Sequence, residues 1–408
     1  MKSIIANKKE VSAVVQMTFS GSFGGRENVA FSLAKLMSSS MQSSVLYLIL
    51  ETRADQGHRN DLLSRLEQSK IRHRIFYLDR RFSWNIANEI AAALQEDGAQ
   101  IVHCHCYKSG VYAVLIKHLK GLKGMIVAFT LHGLQVPFSL NALVLHLLNF
   151  LAIATVDSII GCSGEIVSRY ARIPFLNRRV AIIQNGLVTD TANIKKYTEM
   201  KHYIREKLAG RFGLDKNALW IGNVGRLTNQ KNHALFIDAI LSMKEDFRRM
   251  LNVNFLIIGD GELKDKLTRM TREVSIDDVV FFTGHVSDMN EIYAALDIQV
   301  LSSDWEGTPM CILEGMSFGL PIIASAVGGT PDLIEHEETG LLFKKRNKEQ
   351  LRRCMIDLIT NERKRRSLGE KAQEHLFQAF TAGVWADRHI GHYVKLLSRK
   401  RGAACAAD

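Results

Sequence analysis

Two glutamates separated by seven residues, Glu306 and Glu314, form the pattern that most directly indicates chemistry in this chain. They lie in the stretch DWEGTPMCILE at 304–314, with Glu306 on an incoming loop and Glu314 one turn inside a predicted helix. An anion bound at the start of that helix would have a carboxylate on either side, each able to accept hydrogen bonds from neutral hydroxyl groups. A phosphate flanked by hydroxyl groups is the layout of a nucleotide-sugar. The alternative interpretation is a capped surface helix with solvated acids.

The residues between the two glutamates predict how that anion would be held. Thr308 is a favourable N-cap residue, and Pro309 suits the first helical position because its missing N–H would have no partner there. The N–H groups of the first turn, around Met310 and Cys311, and the positive end of the helix dipole would then form an anion site.

A strand-to-helix loop at 225–232, GRLTNQKN, places Arg226 and Lys231 five residues apart. An arginine can hold diphosphate oxygens in a fork and a lysine adds a point charge, so the pair predicts a diphosphate site that needs no metal. Two solvated surface cations are the alternative. The sequence GDG at 259–261 indicates a strand-end turn, and a further glycine loop at 327–332, VGGTPD, offers backbone N–H groups near the same edge.

The first half of the chain offers fewer candidates, all at predicted strand ends. In SGSFGGRE at 20–27 the glycines let backbone approach a ligand and the next helix presents its N-terminus, although a plain tight turn is the alternative. His132 ends another strand and precedes a glycine, which is a position suited to chemistry. The run HCHC at 103–106 is not expected to bind a metal, because a strand points its histidines and its cysteines to opposite faces. His105 is retained as a candidate cleft-lining residue.

These loops interrupt a regular alternation of β-rich runs and helical patterns, which predicts an α/β fold with two doubly wound parallel sheets. Ligands of such sheets bind outside the carboxyl ends of the strands, where the candidates above fall. We predict an N-terminal domain over 1–190 and a C-terminal domain over 191–380. The second domain would begin with a polar connector and one short helix at 191–211.

The composition fits two domains of ordinary size. The chain has 408 residues, of which 47% are hydrophobic, and only five prolines, so each domain can bury a substantial core. Its six cysteines form no CxxC pair, which indicates reduced thiols in a cytosolic protein. The first ten residues are too polar for a secretory signal, and the apolar window at 140–160 is interrupted by polar residues and falls short of a membrane span.

The positive charge is concentrated in the first half of the chain. Residues 1–200 carry 23 Lys and Arg against 14 Asp and Glu, a net charge of +9, whereas residues 201–408 carry 30 against 28. A basic domain suits nucleic acid, an anionic membrane or a phosphorylated small molecule. Nucleic acid is the weakest of these, because zinc-finger spacing, single-strand-binding aromatic motifs and a basic dimerisation helix are absent from the sequence. The basic half and an apolar helix at 140–155 favour a cytoplasmic enzyme attached peripherally to the inner membrane face, and a core helix is the alternative interpretation of 140–155.

Taken in order, these residues resemble the retaining glycosyltransferases of the GT-B fold, in particular the large family 4 group. The resemblance covers almost the whole chain and implies two Rossmann-like domains facing across a cleft. It also implies that the last helix, about 381–408, packs back on the first domain. The features that carry it are Gly24-Gly25 with Glu27, His132, Gly225-Arg226-Leu227 with Lys231, Gly259-Asp260-Gly261, Glu306 with Glu314, and Gly328-Gly329.

The resemblance implies a nucleoside-diphosphate sugar as donor, with no metal or other cofactor. Arg226 and Lys231 would bind its diphosphate, Glu314 its ribose, and Glu306 the transferred sugar, which His132 would reach from the other domain. Gly24, Gly25 and Glu27 would lie near the donor phosphate and the acceptor. Further donor contacts would come from Gly225, Gly259, Gly261, Gly307, Thr308, Pro309, Met310 and Cys311.

The implied reaction is transfer with retention of the anomeric configuration, the acceptor being a hydroxyl of a glycan or lipid-linked glycan in cell-surface polysaccharide synthesis. Double displacement through a covalent intermediate is the lesser hypothesis. The rival functions are a nucleotide-sugar epimerase of similar fold and an inactive sugar-nucleotide-binding protein. Departures from the family pattern are Gly315 where alanine is usual, Asn232 where glycine is frequent, Asp332 where glutamate is commoner, and Asp190, later than the usual acid.

Overall fold

The protein divides into two compact units, each with its own parallel β-sheet. One comprises Met1–Asn185 and Ala382–Asp408, and the other comprises Gly186–Thr381. Helices connect successive strands in both units, so the predicted α/β class with two doubly wound sheets is confirmed. The computed structural model describes residues 11–20, 25–38, 43–51, 64, 66–79, 82–122, 124–131, 150–244 and 252–405.

The described part of the first unit forms a seven-stranded sheet. Its strands are β1 (Ala13–Ser20), β2 (Ser43–Glu51), β3 (His73–Leu78), β4 (Ile101–Cys104), β5 (Ile126–Leu131), β6 (Ser158–Gly161) and β7 (Val180–Ile182). The helices between them are α1 (Gly25–Ser38), α2 (Trp84–Glu96), α3 (Tyr107–Leu119) and α4 (Gly164–Ala171). All pairings are parallel in the order β3-β2-β1-β4-β5-β6-β7, so the strand order reverses between β1 and β4.

The described part of the second unit forms a six-stranded sheet. Its strands are β8 (Leu219–Val224), β9 (Val253–Ile258), β10 (Val280–Gly284), β11 (Ile298–Leu301), β12 (Ile322–Ser325) and β13 (Leu341–Phe343). Its helices are α5 (Thr191–Glu199), α6 (Lys201–Phe212), α7 (His233–Leu241), α8 (Lys264–Glu273), α9 (Met289–Ala295), α10 (Met310–Ser317), α11 (Thr330–Leu333), α12 (Lys348–Thr360) and α13 (Glu362–Ala379). The parallel order is β10-β9-β8-β11-β12-β13, with the reversal between β8 and β11.

The central strands are buried along most of their length because helices cover both faces of a parallel sheet. β9 reads VNFLII with all six residues buried, and β5 reads IVAFTL with all six buried. Such runs do not alternate, so flanking turn residues rather than periodicity mark their limits.

The predicted connector at 191–211 is wrong in detail, because it forms two helices, α5 and α6. The Asp190 side chain caps α5 by accepting the Ala192 N–H at 2.9 Å. Both helices are polar, and α6 buries Ile204 and Leu208 on one face, which is too short an apolar stripe to predict a helix from sequence.

The last helix, α14 (Ala382–Cys405), belongs to the first unit and packs against its sheet. Trp385, Ile390 and Tyr393 share an apolar cluster with Val14 of β1 and Ile101 of β4. Across the residues that the structure describes, no helix combines the length and apolar character needed to cross a membrane. Residues 140–149 of the predicted helix at 140–155 lie outside the described residues.

Candidate functional site

The two loops singled out in the second unit meet where its strand order reverses. α7, which follows β8, shares a core cluster with Ile221, whereas α10, which follows β11, shares one with Trp220, so the helices cover opposite faces of the sheet. The loops at 225–232 and 302–309 therefore leave the carboxyl edge from adjacent strands and lead to opposite faces of the sheet. Open α/β sheets bind their ligands at this position.

Buried hydrogen bonds join the two loops. The Ser302 hydroxyl lies 3.0 Å and 2.9 Å from the carbonyl oxygens of Lys231 and Asn232. The side-chain amide of Asn223, at the end of β8, donates to this hydroxyl at 2.9 Å. Asn223 and Ser302 are fully buried, so these contacts hold the backbone of Lys231 at a set distance from the loop of the two glutamates.

Lys231 and Glu306 form a mostly buried ion pair. The Lys231 Nζ lies 2.6 Å from Glu306 Oε1, and the two side chains are 16% and 7% exposed. The Ser303 hydroxyl donates to the same oxygen at 2.6 Å, which leaves Glu306 Oε2 outside both contacts. Gly225 provides room for the lysine, because a Cβ at this position would stand 3.1 Å from a Lys231 side-chain carbon.

The charge state of this pair follows from its surroundings. Burial by itself would lower the pKa of Lys231, but neighbouring negative charge outweighs burial and the pKa is raised. Burial also raises the pKa of the Cys311 thiol to about 12, so this neighbour is neutral at pH 7. Glu306 is therefore the anion that keeps Lys231 protonated.

Arg226, the other predicted cation, has an exposed side chain. Among the described residues its guanidinium has no hydrogen-bond or ion-pair partner. Its positive charge opposes the upward shift in the pKa of Lys231, which places the two cations within electrostatic reach of each other. An anion that contacts both would relieve this repulsion.

The glycines of the GDG turn allow one backbone segment to pack on another. Gly259 has a φ of +133°, and a Cβ on it would stand 2.1 Å from the Gly225 carbonyl oxygen. A Cβ on Gly261 would stand 2.6 Å from the Leu227 carbonyl oxygen. The turn therefore lies directly against the loop that carries Arg226, and its glycines are required for this approach.

The helix between the two glutamates begins one residue later than predicted. α10 starts at Met310, and Pro309 stands at the N-cap with a φ of −72° and an extended ψ of 102°, so the prediction that Thr308 is the cap is wrong. No side chain caps the helix, and the Ile312 N–H returns to the Pro309 carbonyl at 3.0 Å. The N–H groups of Met310 and Cys311 have no acceptor within the helix, so they keep the geometry of an anion-binding site.

Glu314 lies one turn inside α10 and is paired with a tyrosine. The Tyr293 hydroxyl, on α9, donates to Glu314 Oε2 at 2.6 Å. Burial raises the pKa of Glu314, and the hydrogen bond from Tyr293 opposes that shift. Burial and the adjacent carboxylate raise the pKa of Tyr293 well above its usual range, so the hydroxyl stays a donor. The other oxygen of Glu314 takes no part in this contact.

The glycine loop after β12 supports the loop of Glu306. Gly328 has a φ of +56°, and a Cβ on it would stand 1.9 Å from the Glu306 carbonyl oxygen. The Gly329 N–H donates to the Gly307 carbonyl at 2.8 Å. The expectation that this loop offers free N–H groups is wrong at Gly329, because its N–H is used within the protein.

The predicted residues of the first unit are only partly described. Gly24 and His132 lie outside the described residues. Gly25 is the first residue of α1, and Glu27 is buried in the first turn of that helix.

The histidines and cysteines at 103–106 point to opposite faces of β4, as predicted. His103 is hydrogen-bonded to the Thr130 hydroxyl at 2.6 Å and His105 to the Gln16 side chain at 2.7 Å, while both cysteines lie in the core cluster on the other face. His105 is 1% exposed, so the prediction that it lines a cleft is wrong. The His103 ring, 4.3 Å away between centroids, and Gln16 enclose it. Nowhere in the described residues do three or more His, Cys, Asp or Glu side chains converge as a metal site requires.

Two family models together match most of this chain. The model for Glycosyltransferase Family 4 matches residues 23–191, and the model for Glycosyl transferases group 1 matches residues 204–375. The chain belongs to this group of glycosyltransferases. Its predicted family is confirmed.

Relatives and solved structures agree with this assignment. The chain is 23% identical to N-acetyl-alpha-D-glucosaminyl L-malate synthase of Bacillus anthracis, over 72% of this chain and 74% of that protein. It is 25% identical to UDP-Gal:alpha-D-GlcNAc-diphosphoundecaprenol alpha-1,3-galactosyltransferase of Escherichia coli, over 75% and 78%. Its fold is similar to that of Anabaena Alr3699/HepE in complex with UDP, with a TM-score of 0.75, 20% identity and coverage of 94% and 99%.

Three contacts of this glycosyltransferase site were not predicted. Ser303 binds Glu306, Tyr293 binds Glu314, and Gln299 binds the Cys311 carbonyl at 2.9 Å. The position of Ser303 two residues after the end of β11 was a weak signal. The other two lie on secondary-structure elements with no motif around them, so the sequence offered no sign of their role.

Asp304 connects the loop that carries Glu306 to two other segments, which contain Asn232 and Arg346. Its carboxylate accepts from Arg346 Nε at 3.0 Å and from the Asn232 amide at 3.2 Å. Burial would raise the pKa of Asp304, but the hydrogen bonds from Arg346 and Asn232 lower it. Asn232 also explains a departure from the family pattern, since it adopts a left-handed φ of 46° and caps α7 by accepting the Leu235 N–H.

Proposed function

We propose that this glycosyltransferase moves a sugar from a nucleoside-diphosphate sugar to a hydroxyl of a glycan or lipid-linked glycan, with retention, in cell-surface polysaccharide synthesis. The observation that carries the proposal is the meeting of Arg226, the Lys231–Glu306 pair and the start of α10 at the strand reversal of the second unit. The second unit would bind the donor, and the first unit would bind the acceptor.

The charges of the site support a diphosphate as its anion. Arg226 is exposed and unpaired among the described residues, and Lys231 is protonated, so both can meet diphosphate oxygens together with the N–H groups at the start of α10. Glu314 would accept hydrogen bonds from ribose hydroxyls through the oxygen that Tyr293 does not contact. Glu306 would bind the transferred sugar through Oε2.

The glycines that flank the site would support the loop of Lys231. Gly225 makes room for Lys231, whereas Gly259 and Gly261 hold the backbone of its loop. Donor contacts from the backbone between Gly307 and Cys311 are part of the proposal, and so is a donor-phosphate or acceptor role for the residues of the first unit. These are Gly24, Gly25, Glu27 and His132.

The proposed reaction breaks the bond between the anomeric carbon and the diphosphate oxygen, and the electron pair leaves with the nucleoside diphosphate. Arg226, Lys231 and the start of α10 stabilise the charge that develops there. The acceptor oxygen then bonds to the anomeric carbon from the same face, and its proton passes to a phosphate oxygen of the leaving group. Because these groups already neutralise the diphosphate, we propose that no metal takes part, and full turnover in a chelating buffer is the expected result.

The relatives support a uridine diphosphate sugar and a lipid-linked acceptor. The Escherichia coli relative is named for UDP-Gal and a diphosphoundecaprenol-linked sugar, and the Anabaena structure contains UDP. A cytoplasmic enzyme at the inner membrane face would suit such an acceptor. Among the described residues Phe150 and Leu151, at the end of the apolar segment, are 41% and 51% exposed. Sedimentation with anionic vesicles tests this attachment, and a protein that stays in the supernatant would exclude it.

The direct test is a donor-turnover assay on Arg226→Ala, with Arg269→Ala as a matched control on the exposed face of α8. Arg226→Ala should lower turnover by roughly 100-fold. Its free energy of unfolding should not change, because Arg226 has no partner to lose among the described residues. The control should match the wild type in both. Equal turnover in Arg226→Ala would contradict the proposed role.

Product analysis separates the rival reactions. Retention predicts a product with the same anomeric configuration as the donor, as read from its anomeric proton coupling. Donor converted to an isomeric nucleotide-sugar without any acceptor would instead indicate an epimerase. Binding of a nucleotide-sugar without turnover of any donor would indicate an inactive binding protein.

A further inference from the structure

Gln299, in the middle of the buried strand β11, makes an unusual contact with the helix of the candidate site. Its side chain is fully buried, and its amide nitrogen donates to the carbonyl oxygen of Cys311 at 2.9 Å. Its amide oxygen is also buried and has no hydrogen-bond partner among the described residues. Only this orientation of the amide suits the contact, because a carbonyl oxygen requires a donor.

Gly315 lies one turn further along α10 and faces the same amide. A Cβ on Gly315 would stand 1.6 Å from Gln299 Oε1 and 2.8 Å from the amide carbon. The methyl group of an alanine and the side chain of Gln299 therefore cannot occupy their present positions together. This contact gives a physical reason for glycine where alanine is usual in the family.

Packing alone does not explain this pair. An apolar side chain of similar volume would fill the same space without leaving a buried oxygen unsatisfied, which costs free energy. The amide contributes one directed bond, and that bond ends on Cys311 in the first turn of α10. The contact with Gly315 is next to Glu314 in the helix. Gln299 therefore touches α10 beside both groups that would bind the donor, which are the N–H groups of the first turn and the Glu314 carboxylate.

We propose that Gln299 and Gly315 are a positioning pair that sets where α10 lies on the sheet, and through it the donor-binding groups. The bond to Cys311 holds the first turn, whose N–H groups meet the diphosphate, and the missing methyl of Gly315 lets the helix approach β11 closely enough for that bond. This inference rests on the proposed function, because the diphosphate and the ribose are the ligands whose binding it affects.

The first test compares Gln299→Met with Asn254→Leu. Methionine keeps the length of Gln299 and removes the bond. Asn254, on β9, is the matched control because it is also buried and donates to a backbone carbonyl, that of Asp215, at 2.9 Å. Calorimetry with UDP and GDP should show at least a fivefold rise in Kd for Gln299→Met and no change for Asn254→Leu. Hydrogen exchange of α10 should accelerate in the first variant only.

The second test distinguishes an effect of the position of α10 on nucleotide binding from an effect of core packing. Gln299→Ala opens a space that Gly315→Ala can partly fill, so the double variant should regain stability to urea relative to Gln299→Ala alone. Its Kd for the nucleotide should stay raised, because the bond to Cys311 is still missing. Recovery of Kd in step with stability would overturn the proposal, and so would a wild-type Kd in Gln299→Met.

The outcome also separates this inference from the function on which it rests. A wild-type protein that binds neither UDP nor GDP would contradict both. A wild-type protein that binds and turns over a donor, together with an unchanged Gln299→Met variant, would overturn the positioning pair and leave the glycosyltransferase proposal standing.

Discussion

The two sheets share a strand order around their reversal points and differ in how they use polar side chains there. In the first unit Gln16 on β1 and His103 on β4 lie inside the fold, and the Tyr393 hydroxyl of α14 binds His103 at 2.7 Å. In the second unit Asn223 on β8 binds Ser302, which holds a loop that ends in a charged pair. The first network joins β1 and β4 to α14, and the second supports the Lys231–Glu306 pair.

Two sheets with the same strand order therefore carry different polar contacts at their reversal points. In the second unit, glycines at 225, 259 and 328 bring three backbone segments together around Lys231 and Glu306. In the first unit, Tyr393 of the last helix, α14, contacts the polar side chains of Gln16 on β1 and His103 on β4. The following predictions test whether the two networks are separable in this way.

The largest effect is expected from Lys231→Met. Without Lys231, the negative charge that develops on the leaving diphosphate would be less well stabilised. Donor turnover should therefore slow by roughly 100- to 1,000-fold. Unlike Arg226, Lys231 neutralises a carboxylate that is 7% exposed, so its loss should also lower the free energy of unfolding by roughly 3–5 kcal/mol. Steady-state kinetics and urea unfolding measure the two effects.

A second variant separates folding from chemistry at this pair. Lys231→Met with Glu306→Gln removes the unpaired charge, so stability should recover while turnover stays low. Recovery of turnover together with stability would mean that the lysine acts only through the fold.

The next effect is a loss of stability in acid. Burial lowers the pKa of His389 to about 4, that of His392 to about 4, and that of His233 to about 3. Each is favoured as the neutral form in the folded state, so its contribution is complete above pH 6.5 and is lost as pH falls towards the folded pKa. Each of the first two should account for roughly 3 kcal/mol of stability between pH 6.5 and 4.

Because two of these histidines lie in the first unit and one in the second, hydrogen exchange should show the first unit opening before the second as pH falls. His392→Gln keeps a partner for the Ser158 hydroxyl, which lies 2.7 Å from His392 Nε2, and should flatten the pH dependence of unfolding. An unchanged pH profile in this variant would show that His392 does not titrate on unfolding.

A smaller effect is expected from Glu314→Ala. Loss of one charged hydrogen-bond acceptor should weaken donor binding by roughly 1.5–3 kcal/mol, as read by calorimetry. Tyr293→Phe is the companion variant, since it frees Glu314 Oε2 and removes no group that would contact the donor. Unchanged donor affinity in Glu314→Ala would remove this residue from the ribose site.

The smallest effect is expected in the polar network of the first unit. Tyr393→Phe removes the bond to His103 and should cost about 1 kcal/mol in urea unfolding. Nucleotide affinity should match that of the wild type, because Tyr393 belongs to the unit that does not carry the proposed donor site. A weaker affinity for UDP would show that the two networks are coupled.

Much of the fold and part of the site could be predicted from local sequence. The runs at 219–224 and 298–301 form β8 and β11, and both follow from local sequence because mostly apolar runs that end at polar, glycine-containing loops are local signals. The opposite faces of the histidines and cysteines at 103–106 also followed, since side chains alternate along a strand. The N-cap of α10 was missed because threonine and proline both suit a helix start, and only the backbone distinguishes them.

By itself the sequence determined the fold class, the order of the strand-end loops and the residue types that suit a sugar nucleotide. The tertiary structure decided which of those residues meet. Lys231 and Glu306 are 75 residues apart in the chain and 2.6 Å apart in the fold, and Ser303 shares their contact. His103 and His105 are hydrogen-bonded to Thr130 and Gln16, which lie on other strands of the sheet. The physical reason is that local patterns encode burial and turns, whereas the partner of a polar group depends on which distant segments the packed core brings within hydrogen-bond distance.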